Sequence, residues 1–516
     1  MVELTYLGLT ARSVSRSRIR VDWRQSLELT GTVLQYLAVP LAFPLLLAVY
    51  YREPVTPFLV TIAITLLVGT AFSQFETDGD LGPREAFLMV SLTWLLVALI
   101  GAIPFIVAGT GTIAHPVNAA FEAMSGLTTT GATVLRDFEI HGNSIMMWRQ
   151  LIQWLGGLGI LILVTSILSR LSVSGMQLME TETQYENVDK VTPHIQDTAR
   201  IILKLYAGLT VTAIVVLYAL GVTRLAPNMD LFNAVAHAFT SVATAGFSPQ
   251  PQSIGDFRPI VQWVIMPFMF LGSTSFMLMY FVLRGNFERL RDSEEFRFYL
   301  GSVLLFAGLV FTILVVNGNP TGNGLHDTVR QSLFNVVSII TTTGYANADF
   351  SQWSAFAQYL LFLAMFLGGM AGSTTCSIKS LRWLVVFKSF RRDLFTSIHP
   401  GAVRPIRLGR QPIDEETIRD IYSYTLVAIV GVFLVSVFVA VDGARAGLAG
   451  IGGFEAIGAA ASTFLNIGPA FGPAGPYGTY DVLPMSTKAA MVVWMLVGRI
   501  EIIPVIVLLT RSYWTS

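Results

Sequence analysis

Long apolar stretches alternate with shorter polar ones along the whole chain. A helix that crosses a bilayer needs about 20 mostly apolar residues, and ten stretches approach or exceed that length. They lie near residues 30–50, 55–72, 86–108, 147–169, 199–221, 259–283, 297–317, 356–388, 417–441 and 487–511. The first is too long for a signal-peptide core and precedes no small-residue cleavage site, so we expect it to be retained. The pattern predicts an all-α polytopic membrane protein.

An even number of spans places both termini on the same side of the membrane. Lysine and arginine concentrate in the N-terminal segment and in the stretches 284–297 and 379–419. On the assigned topology this side carries roughly a threefold excess of basic residues, the sign expected for cytoplasmic loops. The charge pattern therefore predicts that both termini are cytoplasmic.

Composition supports a lipid environment and excludes several classes of function. Of the 516 residues, 53% are hydrophobic and 13% are charged, with 33 basic and 33 acidic side chains. The zero net charge argues against a nucleic-acid partner, and the single cysteine, Cys376, excludes a disulfide framework. The sequence contains no GxxxxGK[ST] or HExxH motif, and its six histidines show no metal-ligand spacing. We therefore expect neither an enzyme nor an organic cofactor.

Four semi-apolar segments on the predicted outer side are too short to cross the membrane. They lie at Pro116–Thr133, Leu231–Ser248, Ser332–Ala346 and Phe454–Phe471. Each is predicted to begin as a helix of about 10–12 residues, roughly 15–18 Å long, and to break at a glycine. Non-helical backbone at membrane depth is tolerated only inside protein or beside a water-filled cavity. Four re-entrant pore segments are therefore predicted.

These four segments also align with one another. Phe121–Gly131 superposes without gaps on Phe334–Gly344, and six of the eleven positions are identical. Phe232–Gly246 superposes more weakly on Phe454–Gly468, with phenylalanine and glycine in register. With their flanking spans, the segments predict four span–pore-helix–span repeats in a pseudo-fourfold arrangement, preceded by two extra transmembrane helices. A lone TTTG stretch is more often a helix C-cap, but four matched copies favour a pore.

Fourfold repetition predicts a cation site on the central axis. Four short helices pointing their C-terminal ends inward bring partial negative charges to that axis, and the strands that follow can offer carbonyl oxygens as a substitute hydration shell. Glycine permits the positive φ that such a strand needs. The candidate filter residues are Thr129, Thr130 and Gly131; Thr244, Ala245 and Gly246; Thr342, Thr343 and Gly344; and Asn466, Ile467 and Gly468.

The sequence resembles the Trk/Ktr/HKT superfamily of potassium transport proteins, and most closely its TrkH branch. The resemblance covers nearly the whole chain. The motifs that carry it are FEAMSGLTTTGAT (121–133), TAGFS (244–248), TTTGYANADF (341–350), NIGPAF (466–471), GGMAGSTTCSIK (368–379) and GRIE (498–501). The resemblance implies potassium uptake across the cell (inner) membrane, a homodimer, and a cytosolic nucleotide-binding regulatory subunit of the TrkA type. Members with serine at the first filter glycine tend toward sodium, so Gly131 implies potassium selectivity.

The second span of the third repeat contains a polar, glycine-rich interruption. Its small and hydroxyl-bearing residues are Gly368, Gly369, Gly372, Ser373, Thr374, Thr375 and Ser377. Such residues can simply allow close packing of helices. The family resemblance instead implies a mobile loop beneath the filter that gates conduction, with hydroxyl groups satisfying the freed backbone. Breaks that are less polar are predicted at Gly156-Gly157 and at Gly272.

Arg499 lies in the middle of the last predicted span, with Glu501 two residues later. An intramembrane arginine costs roughly 2.5–3.5 kcal/mol on insertion scales, so it usually faces a cavity or a partner. Residues at i and i+2 do not share a helix face, so Glu501 is not expected to neutralise Arg499. We expect Arg499 to project toward the ion path as part of the gate. The alternative is a structural ion pair elsewhere.

The sequence predicts five regions: 1–85 for the N-terminal segment and two extra helices, then repeats at 86–170, 198–284, 296–388 and 416–512. A sodium-permeable or cation-coupled symporter of the same superfamily remains the alternative function. Coupled symport predicts a carboxylate in the permeation path, and none of the filter residues carries one.

Overall fold

The computed structural model describes residues 21–75, 81–163, 195–409, 411–448 and 450–515. Within these ranges, seven helices are long and apolar enough to cross a membrane, and a sharply bent pair makes an eighth candidate. The seven are Trp23–Tyr51, Thr56–Ser73, Pro83–Ala108, Asn143–Leu163, Asp197–Val222, Glu294–Asn317 and Glu415–Arg445. The prediction of an all-α polytopic membrane protein is confirmed.

Three of the ten predicted spans are interrupted instead of continuous. Residues 259–283 form two helices, Pro259–Gly272 and Phe276–Leu283, bent by 105°. The stretch 356–388 becomes a helix at Ala355–Ala364, an irregular loop, and a second helix at Ser380–Ile398. The last span divides into Met485–Arg499 and Ile503–Leu508, because Glu501 and Ile502 adopt positive φ values of 67° and 61°, which a helix cannot accommodate.

Each repeat contains one short buried helix between its two spans, here called its half-helix. The four half-helices are Pro116–Leu127, Leu231–Val242, Leu325–Ile340 and Gly453–Phe464. Three have 12 residues, as expected. The third has 16 residues and begins seven positions before Ser332, where the sequence pattern had placed its start. The polar residues of that first turn hid the extension.

Glycines on the second spans let these spans pack directly against the half-helices. In repeats 1, 2 and 4 a glycine touches the carbonyl oxygen four residues before the filter glycine. A Cβ atom added there would lie 1.8 Å (Gly156 to Leu127), 2.5 Å (Gly272 to Val242) or 1.8 Å (Gly498 to Phe464) from that oxygen. The break predicted at Gly156-Gly157 was wrong, because Asn143–Leu163 is one continuous helix. These two glycines serve close packing.

The remaining described elements are short. The first two helices form a hairpin in which Gly31 packs on Gly69. Short helices lie at Phe287–Asp292 and Arg511–Thr515, and a two-stranded antiparallel sheet pairs Arg407–Leu408 with Gln411–Pro412. Single 3-10 turns lie at Thr112–Ala114, Ser253–Asp256, Phe350–Gln352, Gly472–Ala474 and Tyr480–Val482. The predicted repeat boundary at 170 falls outside the described residues, and the five region boundaries stay predictions.

Candidate ion-conducting site

The four filter glycines lie in a closed ring, each against the strand of the next repeat. A Cβ atom added to a glycine would collide with the carbonyl oxygen of the residue preceding the next glycine. The four distances are 2.3 Å from Gly131 to Ala245, 1.9 Å from Gly246 to Thr343, 2.0 Å from Gly344 to Ile467, and 2.7 Å from Gly468 to Thr130. Repeat 1 therefore contacts repeat 2, repeat 2 contacts repeat 3, repeat 3 contacts repeat 4, and repeat 4 contacts repeat 1. The predicted filter segments therefore meet around one axis.

Each segment has a left-handed backbone conformation at two residues, the glycine and the residue two positions before it. The four glycines have positive φ, as predicted, with values of 78°, 82°, 79° and 115° in chain order. The residues two positions earlier, which are not glycine, are also left-handed: Thr129 at 52°, Thr244 at 50°, Thr342 at 51° and Asn466 at 56°. Such conformations cost of order 1–3 kcal/mol each for a residue that is not glycine. The sequence had given no signal for this second set.

One hydrogen bond recurs in all four repeats and fixes each strand to its own half-helix. The amide of the residue before the glycine donates to the carbonyl six residues before the glycine. The four pairs are Thr130 to Ser125, Ala245 to Thr240, Thr343 to Ser338 and Ile467 to Ser462, with lengths of 2.8–2.9 Å. The fourfold repeat inferred from alignment is thus also a repeat of backbone geometry at the site.

Above the ring lies an outer cavity of about 210 Å³ whose walls include all four filter glycines. Arg136, Phe247 and Tyr477 also line it. Beside its rim, Lys488 donates to Asp481 at 2.9 Å. Burial by itself raises the pKa of Asp481, but the hydrogen bond and charge of Lys488, with the charge of Arg136, lower the pKa below its usual value. This carboxylate therefore stays ionised beside two cations.

A buried ion pair supports the strand of repeat 1. Arg149 Nη2 lies 2.7 Å from Glu122 Oε1, and both side chains are buried. Glu122 also accepts from the backbone amide of Val134 and the hydroxyl of Thr133, each at 2.9 Å. Arg149 reaches across to the carbonyl of Ser248 in repeat 2 at 3.3 Å. The pair holds the strand beyond the glycine, and its carboxylate is fully engaged with these donors.

Different side chains occupy the same position, nine residues before the glycine, in the next two repeats. His237 Nδ1 donates to its own helix at the Asn233 carbonyl, 2.7 Å away, and Nε2 lies 3.0 Å from the Ser248 hydroxyl. Asn335 Nδ2 donates to Asn347 Oδ1 at 2.8 Å. In the fourth repeat this position is Ala459, which offers no hydrogen bond from its side chain. Polar residues at one helix position therefore anchor three of the four strands.

Gln153, in the second span of repeat 1, forms hydrogen bonds with the residues on both sides of the filter glycine of repeat 2. Its Nε2 donates to the Ala245 carbonyl at 2.7 Å, and its Oε1 accepts from the Phe247 amide at 3.0 Å. Gln153 is fully buried. Sequence reasoning missed this residue, although an uncharged polar residue inside an apolar span was a usable signal.

The interruption in repeat 3 folds into a buried loop, residues 365–379, directly beneath the ring. Thr374 Oγ1 lies 2.9 Å from Thr244 Oγ1, and the Cys376 amide donates to Thr342 Oγ1 at 3.1 Å. Cys376 Sγ lies 4.0 Å from the Thr128 carbonyl oxygen. The loop therefore touches the inner ends of repeats 1, 2 and 3.

Every predicted gate residue lies in or against this loop, and the loop is extensively hydrogen-bonded. Gly368 and Gly369 are in close contact with the Cys376 carbonyl and with Ser273, respectively. Within the loop, the Ser377 hydroxyl donates to the Met365 carbonyl (2.7 Å) and the Ser373 and Thr375 hydroxyls are hydrogen-bonded to each other (2.7 Å). Two bonds join the loop to repeat 2: the Thr374 hydroxyl donates to the Gly272 carbonyl (2.9 Å), and the Phe276 amide donates to the Gly372 carbonyl (3.2 Å). The hydroxyl groups satisfy freed backbone, as the sequence suggested.

Arg499 joins repeat 4 to the same loop. Its Nη1 donates to the Thr374 carbonyl at 2.9 Å and to Cys376 Sγ at 2.6 Å, and its Nη2 donates to the Gly156 carbonyl at 3.1 Å. The side chain is 2% exposed. Arg499 thus contacts the loop and repeat 1 together, and its place beside an ion path stays a prediction.

Glu501 has a different partner. It forms an ion pair with Arg382 at the start of the helix after the loop, and Arg382 also stacks over the Tyr424 ring at 3.8 Å. The expectation that Glu501 does not pair with Arg499 agrees with this arrangement. The contact ties the broken last span to the inner end of the loop.

Comparison with known proteins now assigns the family. A model of the TrkH family, described as cation transport protein, matches residues 55–515. This chain belongs to the TrkH family. The chain is 33% identical over 503 residues to the Trk system potassium uptake protein TrkH of Halomonas elongata, covering 95% of this chain and 99% of that protein. It is 32% identical over 501 residues to TrkH of Escherichia coli K12, covering 96% and 100%.

A solved structure of the family has the same fold. The crystal structure of the potassium transporter TrkH from Vibrio parahaemolyticus superposes with a TM-score of 0.84 at 27% identity, covering 96% of this chain and 100% of that one. Family membership confirms the resemblance seen in the sequence. It also confirms that the chain is a transporter and not an enzyme, and with the apolar spans it identifies a multi-pass membrane protein.

Proposed function

We propose that this chain is the potassium-selective, ion-translocating subunit of a potassium uptake system in the cell (inner) membrane. The observation that carries the proposal is the closed ring of four glycine-centred strands, in which each glycine leaves no room for a side chain. The TrkH proteins similar to it are named for potassium uptake. No soluble enzyme or scaffold function accounts for this ring.

Potassium is bound in this proposal by backbone carbonyl oxygens of the twelve filter residues. The half-helices end beneath the ring and contribute partial negative charge there, which favours a cation without a formal negative charge. Neutral ligands bind the ion weakly enough to let it leave, as conduction requires. A cation-coupled symporter is less well supported, because Glu122, the buried carboxylate of the first half-helix, is occupied by Arg149, the Thr133 hydroxyl and the Val134 amide.

The loop at 365–379 acts as the gate. It fills the space beneath the ring and contacts all four repeats through Thr374, Cys376 and Arg499. These contacts are separate from the hydrogen bonds that fix each strand to its own half-helix, so the loop can detach without breaking those bonds. Arg499 adds a positive charge that opposes an inward-moving cation until the loop moves.

Regulation comes from a cytosolic nucleotide-binding subunit of the TrkA type, and the chain works as a homodimer with both termini cytoplasmic. Basic residues on the proposed cytoplasmic side support this orientation. The exposed helix end at Ser380–Ile398 and the small sheet that follows are directly continuous with the loop. A partner bound at this end could therefore act on the gate through the chain itself.

Reversal potentials of the purified protein in bilayers test the filter. Gly131→Ser places a side chain within 2.3 Å of the Ala245 carbonyl oxygen, so the potassium-to-sodium permeability ratio should fall. Gly301→Ala is the matched control, since no atom lies within 4 Å of its added Cβ. An unchanged ratio in a normally expressed Gly131→Ser protein would count decisively against the filter.

A further inference from the structure

The fourth filter glycine differs from the other three in its backbone conformation. Its φ is 115°, whereas Gly131, Gly246 and Gly344 lie between 78° and 82°. The following residue is Pro469, which restricts the backbone of the residue before it. The ring is therefore fourfold in position but not in conformation.

Hydrogen bonding shows where the carbonyl of Gly468 points. Its oxygen accepts from the hydroxyl of Ser462 at 2.7 Å and from the hydroxyl of Tyr480 at 2.9 Å. Both donors are buried, at 0% and 2% exposure, on the half-helix and the outer turn of the same repeat. Two protein hydroxyl groups therefore already occupy this oxygen as hydrogen-bond donors.

The serines at the equivalent position in repeats 1 and 3 do not donate to the carbonyl of the filter glycine. Ser125 donates to Ala132 and Ser338 donates to Tyr345, both at 2.6 Å, and each acceptor lies one residue after the glycine. Across the described ranges, no hydrogen bond reaches the carbonyl oxygens of Gly131, Gly246 or Gly344. Those three oxygens remain available to an ion.

We propose that Tyr480 is a positioning residue that withdraws the Gly468 carbonyl, so that the glycine layer of the filter offers potassium three carbonyl oxygens and not four. This inference rests on the proposed function of the ring. Ala459 leaves the fourth strand without the polar anchor that the other repeats have nine residues before the glycine, and Tyr480 supplies that anchor instead.

The consequence is a weaker ion site at the outer end of the filter. Conduction requires binding that is strong enough for entry and weak enough for release. A layer with one ligand fewer releases potassium more readily to the next site. The ring of Tyr480 packs on Phe121 at a centroid distance of 5.6 Å, so the hydroxyl can be removed while the packing stays.

The test compares flux as a function of potassium concentration for Tyr480→Phe, Ser462→Ala and the double variant in liposomes. Freeing the Gly468 carbonyl should lower the half-saturating potassium concentration by about fivefold in the double variant, the scale of one net hydrogen bond, and should lower maximal flux. Tyr480→Phe alone should produce a smaller shift in the same direction. Ser338→Ala is the matched control, because its hydroxyl holds the carbonyl beyond the glycine.

The outcomes separate this inference from the function on which it rests. Unchanged half-saturation in the double variant, with altered selectivity in Gly131→Ser, overturns the role of Tyr480 and leaves the filter standing. An equal shift in Ser338→Ala also overturns it, because the effect would then be general loosening of the strands. No selectivity change in Gly131→Ser removes the filter itself.

Discussion

The ring of filter strands and the loop beneath it are both irregular backbone buried at membrane depth, yet only the ring is built from one contact repeated four times. The ring is held by its own backbone, through left-handed residues, a repeated hydrogen bond in every repeat and glycines with no space for a Cβ atom. The loop at 365–379 also contains crowded glycines and positive-φ residues, but its contacts to neighbouring segments are individual hydrogen bonds of hydroxyl, amide and guanidinium groups. In the proposed function, the first kind of structure serves selectivity and the second serves gating.

The largest expected effect tests the rigidity of the ring. Gly246→Ala puts a Cβ atom 1.9 Å from the Thr343 carbonyl oxygen at a φ of 82°. Potassium flux should fall by at least about tenfold, or 1.4 kcal/mol, since the overlap with the carbonyl oxygen adds to a positive-φ strain of about 1–3 kcal/mol. Rubidium uptake into liposomes measures it. Gly308→Ala, with open space around its Cβ, should transport normally; full activity in Gly246→Ala would show that the ring is not close-packed in the working protein.

The second prediction concerns the loop. Deleting Ala371–Thr375 removes Thr374 and the hydroxyls that reach Thr244 and Gly272. Basal potassium flux without the regulatory subunit should rise by at least about tenfold, or 1.4 kcal/mol of barrier, while the potassium-to-sodium ratio stays the same. Single-channel recording measures both quantities. A protein that inserts and dimerises but conducts less would show that the loop is structural and that the gate lies elsewhere.

Arg499 should have a smaller effect of the same sign. Arg499→Ala removes donors to Thr374, Cys376 and Gly156, and basal flux should rise about three- to fivefold, equivalent to about 1 kcal/mol of barrier. Arg499→Lys separates the two possible causes. Lysine keeps the charge but lacks the planar fork, so flux stays low if charge is the barrier and rises if the hydrogen bonds are.

The smallest effect concerns the pH dependence of the protein's melting temperature, through a histidine outside the membrane-spanning helices. Burial, reinforced by the positive charge of Arg149, lowers the pKa of His141 from 6.5 to about 4. The unfolded chain then takes up a proton before the folded protein does, so the stabilising contribution is complete above pH 6.5 and is lost progressively down to pH 4. His141→Gln should flatten the decline in melting temperature over this window. A decline identical to that of the parent protein would exclude His141 as its cause.

Sequence by itself determined the class of this protein and the positions of its main parts. Ten apolar stretches, four glycine-terminated half-helices and the positive φ of the four filter glycines all follow from local composition and repetition. These features are readable because a membrane demands long apolar helices, and because only glycine adopts positive φ at little cost. The polar interruption in the third repeat was visible because it departs from the apolar composition that a membrane-spanning helix requires.

Only the tertiary structure decided which residues hold the site together. Glu501, at which the last span breaks, pairs with Arg382, more than a hundred positions away in the chain. Gln153 reaches the strand of a different repeat, and the carbonyl of Gly468 accepts a hydrogen bond from Tyr480 on the turn beyond the strand. Contacts between distant segments leave no periodic pattern in the sequence, so these side chains acquire their roles only when the four repeats close around the axis.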